Sequence, residues 1–400
     1  ENDRCCMTNA SLERSFFVIQ LLDIRKQLEE IVMENVTLLR ESHNEALRIK
    51  EGRKRNPHLE LLHEADCMDN LETRREYSDG TMRLSLCLSA DGFPISSSSS
   101  CTPILLSIRD LPSRTRQKKR NIILCSLIQS SCKITNSVWR MSLQYVSQLL
   151  SGPPLSFEVG GVMYTVICRI ATTSFDLVQF YSCYILKGHR TLYGCPMCFL
   201  KTKGRRQKRY LQGSRPARAR DSLTRSTTVR HATLGWYGYK KTDEISVFPT
   251  YSLPHLNQPD ELHLVSLGVA KDILNDLVKP SSSIYVGPST RSILSSIVFS
   301  LPPEYGSPKP WHAGGRLRGK DYWASAITIL PMLCFEGAIG GCEHKSFIVL
   351  LMAAFWCQMR NSELTAECVS MAKEIGNLID RIGRYIIGKY YYTLKWHVSG

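Results

Sequence analysis

The sequence predicts an α/β protein whose mixed sheet lies at about residues 81–170, between helical segments. The clearest observation is that residues 82–91 alternate between apolar and other side chains, which is the period-two pattern of a strand. Two more apolar runs follow at 103–108 and 121–127, and a fourth comes after a helical stretch, at 162–170. Three strands, a helix and a fourth strand in this order indicate strands and helices packed on one another.

The helical segments flank this block. Residues 11 to about 50 carry apolar side chains at steps of four and three, namely Phe17, Leu21, Ile24, Leu28 and Ile31. Such a stripe is typical of a core face, and a seam for a partner helix is the alternative. The interpretation divides the chain into an N-terminal helical region, the first part of the sheet core, a basic insertion and a helical C-terminal region, at 1–80, 81–190, 191–260 and 261–400. Helices are also expected at 138–150 and 177–187, with irregular structure over 188–260.

Composition narrows the class of protein. The chain has 51 basic and 36 acidic side chains, a net charge of +15, which favours a polyanionic partner, nucleic acid before membrane. Most of the 15 cysteines stand singly in apolar stretches, which indicates reduced, buried thiols in an intracellular protein. The longest apolar run, 347–357, is shorter than the roughly 20 residues that span a bilayer. Because the chain opens on Glu1 and closes without a clear element, we expect a fragment at both ends.

Asp91 is a first candidate functional residue. It ends the alternating strand and shares the face of Arg83, Ser85, Cys87 and Ser89. A carboxylate at the mouth of a buried strand needs a partner, water or a metal, so Asp91 is a candidate metal ligand. The alternative is a strand-end aspartate that caps a turn with the following glycine.

Asp176 is a second candidate, shortly after the fourth strand. If that strand pairs beside the strand of Asp91, the two carboxylates meet at one sheet edge. Paired carboxylates there suit Mg2+, and two such ions support phosphoryl transfer. The alternative is that Asp176 caps the helix that follows.

A C-x2-C knuckle, Cys195 and Cys198, is the candidate zinc site. A tetrahedral site needs two further ligands; His263 is the best later partner, with Asp260, His231 or His189 as the fourth. Two buried thiols without a metal are the alternative, and a redox pair fits less well because no helix opens there.

Two basic clusters are candidate phosphate contacts, with nuclear localisation as a competing or additional role. The first holds Arg114, Arg116, Lys118, Lys119 and Arg120. The second holds Lys201, Lys203, Arg205, Arg206, Lys208, Arg209, Arg215, Arg218 and Arg220, nine cations in twenty positions.

Several segments are informative through their order and spacing along the chain rather than one by one. They are residues 78–82, 91–105, 120–124, 187–198, 260–269, 311–313, 344–351 and 392–397. Through this series the chain resembles an animal family of transposase-domain proteins related to the CACTA (En/Spm) class of cut-and-paste DNA transposases. The resemblance runs through nearly the whole chain. Its relatives tend to follow the second acid with a small-Pro-Ala-Arg segment, where this chain has Leu177-Val178-Gln179-Phe180.

The resemblance implies an RNase H-like core with an acid triad. Asp91 would be the first acid and Asp176 the second, both holding Mg2+, and the third, a glutamate, is expected shortly beyond residue 400. Cys195, Cys198 and His263, with Asp260, would hold structural Zn2+. The expected function is DNA binding at transposon ends with strand cleavage and joining, in the nucleus, as a possible homo-oligomer and without a membrane. The alternatives are a non-catalytic DNA-binding remnant or host-adopted protein, and a decayed element that folds poorly.

Overall fold

The computed structural model describes most of the first half of the chain and shorter parts of the second. The described residues are 17–55, 81–176, 180–181, 186–188, 191–195, 198–203, 210–212, 225–240, 267–282, 285, 287, 317–335, 370–371 and 374–378. The chain forms two compact units, Glu1–Leu186 with Thr224–Gln258, and Lys187–Leu223 with Pro259–Gly400.

One mixed sheet dominates the first unit, and within the described residues it has seven strands. The strands are β1 (Phe17–Leu21), β2 (Thr81–Ala90), β3 (Phe93–Pro94), β4 (Ser100–Ile108), β5 (Ile122–Ser130), β6 (Leu155–Val159) and β7 (Val162–Phe175). Their order across the sheet is β1-β5-β4-β2-β7-β6, with β3 paired to β4. The sequence prediction of an α/β fold with a mixed sheet is therefore confirmed at this level.

The pairing of β2 with β7 is parallel, whereas the other pairings in this sheet are antiparallel. Two helices lie between β5 and β7 in the chain, α3 (Asn136–Ser142) and α4 (Gln144–Ser151). A parallel neighbour needs such a crossover, because a short turn can join only antiparallel strands. The helical stretch that the sequence predicts before the fourth strand thus agrees with the parallel pairing of β7 and β2.

The leucine face of the sheet holds most of the core of β2, and the opposite face is also covered at Ser85 and Cys87. Met82, Leu84, Leu86 and Leu88 on β2 are fully buried, and Ala90 is nearly so. The long helix α1 (Ile24–Arg55) contacts β5, β6 and α4, while α3 contacts β1 and β5. Burial of this apolar face is the main source of stability, at about 25 cal/mol per Å² removed from water.

The predicted N-terminal helix begins later than the periodicity indicated. Phe17 and Leu21 lie on strand β1, which pairs antiparallel with β5, so the expectation of helix from residue 11 is wrong over β1. The segment Phe-Val-Ile-Gln-Leu is rich in aromatic and β-branched residues, and an available strand edge decides its conformation. The rest of the stripe is a core face as expected, since Ile24, Leu28 and Ile31 are buried on α1.

Gln27 joins α1 to the sheet. Its side-chain amide donates to the Leu124 carbonyl and its amide oxygen accepts from the Leu124 N–H, both at 3.0 Å. The register between β4 and β5 shifts between Ile104 and Leu105, and Cys125 is the extra residue on β5. The Gln27 amide therefore takes the place of a ladder partner next to this irregularity.

Three other elements differ from the sequence prediction. The expected helix 138–150 is two helices, which meet at Leu143 with backbone angles φ −96° and ψ 3°. Strand β6 was not predicted; it forms a hairpin with β7 through Gly160 and Gly161, whose φ values of 59° and 79° suit a tight turn. Helix α5 (Arg225–Leu234) lies within a stretch that was expected to be irregular.

The second unit is described in part. It contains the short strands β8 (Lys201–Lys203) and β9 (Tyr210–Gln212), paired antiparallel, and the helices α6 (Lys271–Leu277) and α7 (Gly319–Phe335). Helices α6 and α7 contact each other, and the Lys271 ammonium lies 5.7 Å from the centre of the Tyr322 ring. These helices agree with the expectation of a helical C-terminal region where the chain is described.

The sequence also led to predictions about the cysteines and about the length of apolar segments. Cys87, Cys125 and Cys334 are buried free thiols, as the isolated cysteines in apolar stretches indicated. In the part of the chain that the structure describes, no helix is long and apolar enough to cross a membrane. The apolar run 347–357 lies outside the described residues.

Candidate metal edge and nucleic-acid contacts

The two predicted acids leave the sheet at the same edge. Strands β2 and β7 run parallel, and their last paired residues are Ala90 and Phe175. Asp91 and Asp176 come directly after these two residues, on neighbouring strands whose axes are about 4.8 Å apart. The condition on which the sequence argument depended, that the fourth strand pairs beside the strand of Asp91, is met.

The register of β2 and β7 also indicates which face of the sheet the two acids share. Ser89 pairs with Ser174, and Cys87 pairs with Thr172, on the face of the sheet opposite the fully buried leucines of β2. Continued alternation assigns Asp91 and Asp176 to this more polar face. Asp91 is exposed and Asp176 is half-buried, so both carboxylates are within reach of solvent ions.

The chain does not turn at Asp91, which was the alternative explanation for this residue. Strand β3 continues beyond Gly92 and pairs again with β4, at Phe93 with Cys101. The reversal lies further on, where the Ile95 N–H donates to the Ser99 carbonyl at 3.0 Å. A Cβ at Gly92 would lie 3.1 Å from Thr102 Oγ1, a close contact that a small shift of the Thr102 side chain would have to relieve.

Asp176 also begins a helical turn. Its carbonyl accepts a hydrogen bond from the Phe180 N–H at 2.9 Å, which is the first bond that an N-cap residue accepts. Residues 177–179, between them, lie outside the described residues. Asp176 therefore has the backbone hydrogen bond of an N-cap residue and also lies at the sheet edge next to Asp91.

The first basic cluster lies at the other end of the sheet. It belongs to the connection from β4 to β5, and β4 runs antiparallel to β2, so this connection is at the end where β2 begins. β4 ends opposite Leu86 and Arg109 bonds to Ser85, so the start of the connection lies six residues of β2 from Asp91, about 20 Å at 3.3 Å per residue. Sequence reasoning could not place the cluster relative to Asp91, and the sheet places it far away.

This connection is a structured loop. It contains the single helical turn α2 (Ser113–Arg116) and a 3-10 turn over Lys119–Asn121. Asn121 is fully buried and its amide donates to the Thr115 carbonyl at 2.8 Å, while its oxygen accepts from the Asn35 amide at 3.3 Å. Within the loop Arg114, Lys118, Lys119 and Arg120 are exposed.

The charge around the loop is of one sign. Residues 111–157 include seven lysine and arginine residues and not one aspartate or glutamate. Arg116 is half-buried, and burial lowers the pKa of its guanidinium from the usual value. The loop that carries the exposed cations is thus anchored by a buried asparagine pair.

The C-x2-C knuckle belongs to the second unit. Cys195 is fully buried and Cys198 is nearly so. The other proposed ligands, His263 and Asp260, lie outside the described residues, as does His189, whereas His231 belongs to the first unit. Among the residues that are described, no group of three or more histidines, cysteines or acids is arranged to hold a metal ion.

The second basic cluster is described only where it begins. Lys201 is exposed on β8, with its ammonium 5.9 Å from the centre of the Tyr193 ring, and Lys203 ends the same strand. The remaining members of this cluster lie outside the described residues, namely Arg205, Arg206, Lys208, Arg209, Arg215, Arg218 and Arg220.

Two thiols on the paired strands β2 and β7 have raised pKa values, the buried Cys87 and the half-buried Cys168. The pKa of Cys87 is raised by burial, against the effects of a hydrogen bond with Thr172 and the charge of Arg109. The pKa of Cys168 is raised to about 12 by burial and by Asp110, against the effect of Arg25. Both side chains therefore remain thiols at neutral pH and are poor nucleophiles.

Asp110 is a buried carboxylate that the sequence analysis did not single out. Its Oδ2 accepts from the Ser85 N–H at 2.7 Å, and the Arg109 N–H donates to the Ser85 carbonyl at 2.7 Å. These bonds complete the pairing of β2 where β4 ends, so Asp110 has a structural role. The only sequence signal was an acid directly after a predicted strand.

Comparison with known proteins identifies a family. A family model described as a protein of unknown function, DUF1258, matches residues 14–246, which include the whole mixed sheet. No curated protein matches the chain. Because the matched segment covers more than half of the 400 residues, the chain belongs to the DUF1258 family.

Proposed function

We propose that this protein is a DNA-binding protein of DDE-transposase ancestry, with an RNase H-like core. The observation that carries the proposal is the parallel register that ends at Ala90 and Phe175, because it brings Asp91 and Asp176 to one edge from neighbouring strands. Three antiparallel strands followed by helices and a parallel fourth strand provide the arrangement that such an acid pair requires.

The donor set at this edge fits Mg2+, which prefers hard carboxylate oxygens and retains several water molecules. Bound Mg2+ would activate a water or a DNA 3′-hydroxyl and stabilise the leaving oxygen in phosphoryl transfer. The parallel strands would hold the two carboxylates side by side, and their position at the end of the sheet keeps them open to a large substrate.

DNA binding would depend on the basic segments. The exposed cations of the structured loop, Arg114, Lys118, Lys119 and Arg120, would contact backbone phosphates about 20 Å or more from the acid pair. Neutralising all four with glutamine should lower the slope of log K against log salt by up to about 3.6 for duplex DNA, at about 0.9 for each phosphate contact. An unchanged slope would remove the loop from the DNA interface.

The knuckle would hold structural zinc through Cys195 and Cys198, with His263 and Asp260 completing the site. Two buried thiolates suit zinc, which binds sulfur in closed tetrahedral sites. Elemental analysis of purified protein should give about one zinc per chain, and Cys195→Ser should abolish it. A zinc content near zero in the wild-type protein would contradict this part.

The proposal also includes location in the nucleus and binding at transposon ends as a homo-oligomer.

A non-catalytic DNA-binding remnant is the second candidate. It is favoured by one observation, the N-cap position of Asp176, whose carbonyl starts the helical turn to Phe180. In that case Asp176 serves the helix, DNA binding persists and strand cleavage does not.

A nicking assay separates the two candidates. The substrate is a supercoiled plasmid that carries the genomic sequence flanking the coding region, with Mg2+ in the buffer. For the catalytic protein, Asp91→Asn and Asp176→Asn should each abolish nicking and leave plasmid binding intact. The matched control is Glu158→Gln, since Glu158 is an exposed carboxylate on β6, near its turn to β7. Nicking that survives Asp91→Asn contradicts catalysis by the acid pair. Binding without nicking by the protein expressed from its complete reading frame supports the remnant.

A further inference from the structure

Helix α5 ends in a turn that presents two aromatic side chains. The Gly235 N–H donates to the Ala232 carbonyl at 2.9 Å and the Trp236 N–H donates to the His231 carbonyl at 2.8 Å. Gly235 has φ 65°. This is the Schellman arrangement, in which a left-handed glycine ends the helix and the next residue packs back on it. It fixes the backbone of Trp236 against the last turn of α5.

A second tight turn follows at once. The Tyr239 N–H donates to the Trp236 carbonyl at 2.9 Å, with φ 48° at Tyr237 and 87° at Gly238. Two successive positive φ values are those of a type I′ turn, in which asparagine or glycine is usual at the first central position. Tyr237 is the one non-glycine residue with positive φ in the described chain. Strained backbone of this kind is concentrated at functional sites.

The turn is anchored on one side and open on the other. Tyr239 is fully buried and pairs with Leu186 in an isolated bridge. Trp236 is 50% exposed and Tyr237 is 40% exposed. The His231 ring lies behind them, 4.6 Å from the centre of the Tyr237 ring and 6.5 Å from that of Trp236. The chain thus accepts backbone strain to hold two large aromatic side chains at the surface.

The charge of the segment indicates the partner. Residues 222–242 contain Arg225, Arg230, Lys240 and Lys241 and not one aspartate or glutamate. Arg230 is exposed on α5. Rigid aromatic side chains among cations are the features by which proteins bind single-stranded nucleic acid, since each base offers a flat face for stacking and each phosphate a charge. Paired bases inside a duplex do not offer their faces in this way.

The Trp236 and Tyr237 rings lie 6.4 Å apart at 88°, so a flat group that stacks on one ring meets the edge of the other. We propose that Trp236 and Tyr237 form a stacking platform for an unpaired base of a nucleic-acid strand, in which one ring stacks on the base and the other contacts its edge. The inference rests on the nucleic-acid binding part of the proposed function and is independent of phosphoryl transfer. Arg230 and Lys240, the cations of this segment whose side chains are described, would hold the phosphates that flank the stacked base. The site is distinct from the loop of the first basic cluster, which has no aromatic residue between 112 and 121.

The test compares single-stranded and duplex oligonucleotides with the full chain. Trp236→Ala and Tyr237→Gly should each weaken binding of a fluorescently labelled single-stranded DNA about fivefold to a hundredfold, the effect of losing one stacked base. Binding of the blunt duplex of the same sequence should change less than twofold. An RNA oligonucleotide of the same sequence shows whether the platform distinguishes the sugars; equal binding means that it reads only the base.

Stability and specificity are controlled by two further variants. Tyr237→Gly removes the positive-φ strain together with the ring, so its thermal midpoint should not fall, and lost binding is then not a folding defect. Trp236→Phe should retain part of the affinity. Tyr145→Ala is the matched control, since Tyr145 is an exposed tyrosine on α4 in the same unit, and it should bind as wild type.

Three outcomes would overturn the proposal. The first is single-strand affinity within twofold of wild type for both Trp236→Ala and Tyr237→Gly. The second is a wild-type protein that binds duplex and not single strands, which leaves the proposed function standing. The third is a wild-type protein that binds neither, which overturns both.

Discussion

Asn121→Ala should destabilise the protein although it changes no charge and little volume. Asn121 is fully buried between the structured basic loop and helix α1. Its amide donates to the Thr115 carbonyl at 2.8 Å, and its oxygen accepts from Asn35 at 3.3 Å. Alanine removes both bonds and leaves the Thr115 carbonyl without this donor. The Asn35 amide keeps its bond to the Ile31 carbonyl at 2.8 Å.

The expected loss follows from these contacts. Each hydrogen bond contributes about 1 kcal/mol net, and a buried group left unsatisfied adds a desolvation cost of about 1 kcal/mol or more. Asn35 retains the Ile31 carbonyl, and the Thr115 carbonyl retains the Lys118 N–H at 3.1 Å, so neither group adds this cost. The free energy of unfolding should therefore fall by about 2 kcal/mol, the value of the two lost bonds.

Urea unfolding followed by circular dichroism measures the change. The control is Asn44→Ala, because Asn44 is an exposed asparagine on α1, the helix that carries Asn35. The control should stay within about 0.5 kcal/mol of wild type. A double-mutant cycle with Asn35→Ala should give a coupling of about 0.5 to 1 kcal/mol, the value of their shared bond. If Asn121→Ala loses no more stability than Asn44→Ala, the asparagine pair does not hold the loop and the argument for a preorganised phosphate contact fails.

Three further predictions concern stability. Gln27→Ala should lower the free energy of unfolding by about 1 to 3 kcal/mol, because both bonds to the Leu124 backbone are lost; urea unfolding measures it, and Gln27→Glu, which can still accept from the N–H but cannot donate to the carbonyl, should fall between. Gly161→Ala should lower the free energy of unfolding by about 1 kcal/mol because φ is 79° there, although a Cβ would meet nothing within 4 Å. Gly160→Asn should be tolerated, because asparagine accepts the φ of 59°. Thermal midpoints compare the two variants, and equal midpoints would contradict the turn geometry. Cys168 stays protonated in the folded chain up to a pKa of about 12 but ionises near 9 when unfolded, so the unfolded state binds fewer protons and stability falls as pH rises from 9 to 12; Cys168→Ala should flatten this slope in unfolding curves taken across that range.

How far the sheet could be predicted depended on the pattern of each strand. Strand β2 alternates strictly over ten residues, so its bounds and its buried face were evident from the sequence. Strand β1 was assigned to a helix because Phe17, Leu21 and Ile24 also fit a helical stripe, and only pairing with β5 decides between the two. Strand β6 is five residues long and exists through its hairpin with β7. Short segments take the conformation that tertiary partners favour.

The candidate sites divide in the same way. Chain order and residue type identified Asp91, Asp176, the C-x2-C knuckle and the basic loop as chemically suited groups. The aromatic turn was missed because its signal lies in positive φ at Tyr237, and glycines alone do not reveal on which residue the strain falls. Solvent exposure of Trp236 likewise depends on what packs around it.

The sequence by itself determined the α/β class, the buried face of β2 and which side chains are candidates to bind metal or phosphate, because these depend on local periodicity and on side-chain chemistry. Only the tertiary structure decided which of them meet. The parallel register of β2 and β7 brings Asp91 and Asp176 to one edge, and the antiparallel course of β4 sends the basic loop to the other. Strand direction and register arise from contacts between residues far apart in the chain, which a reading of local patterns does not contain.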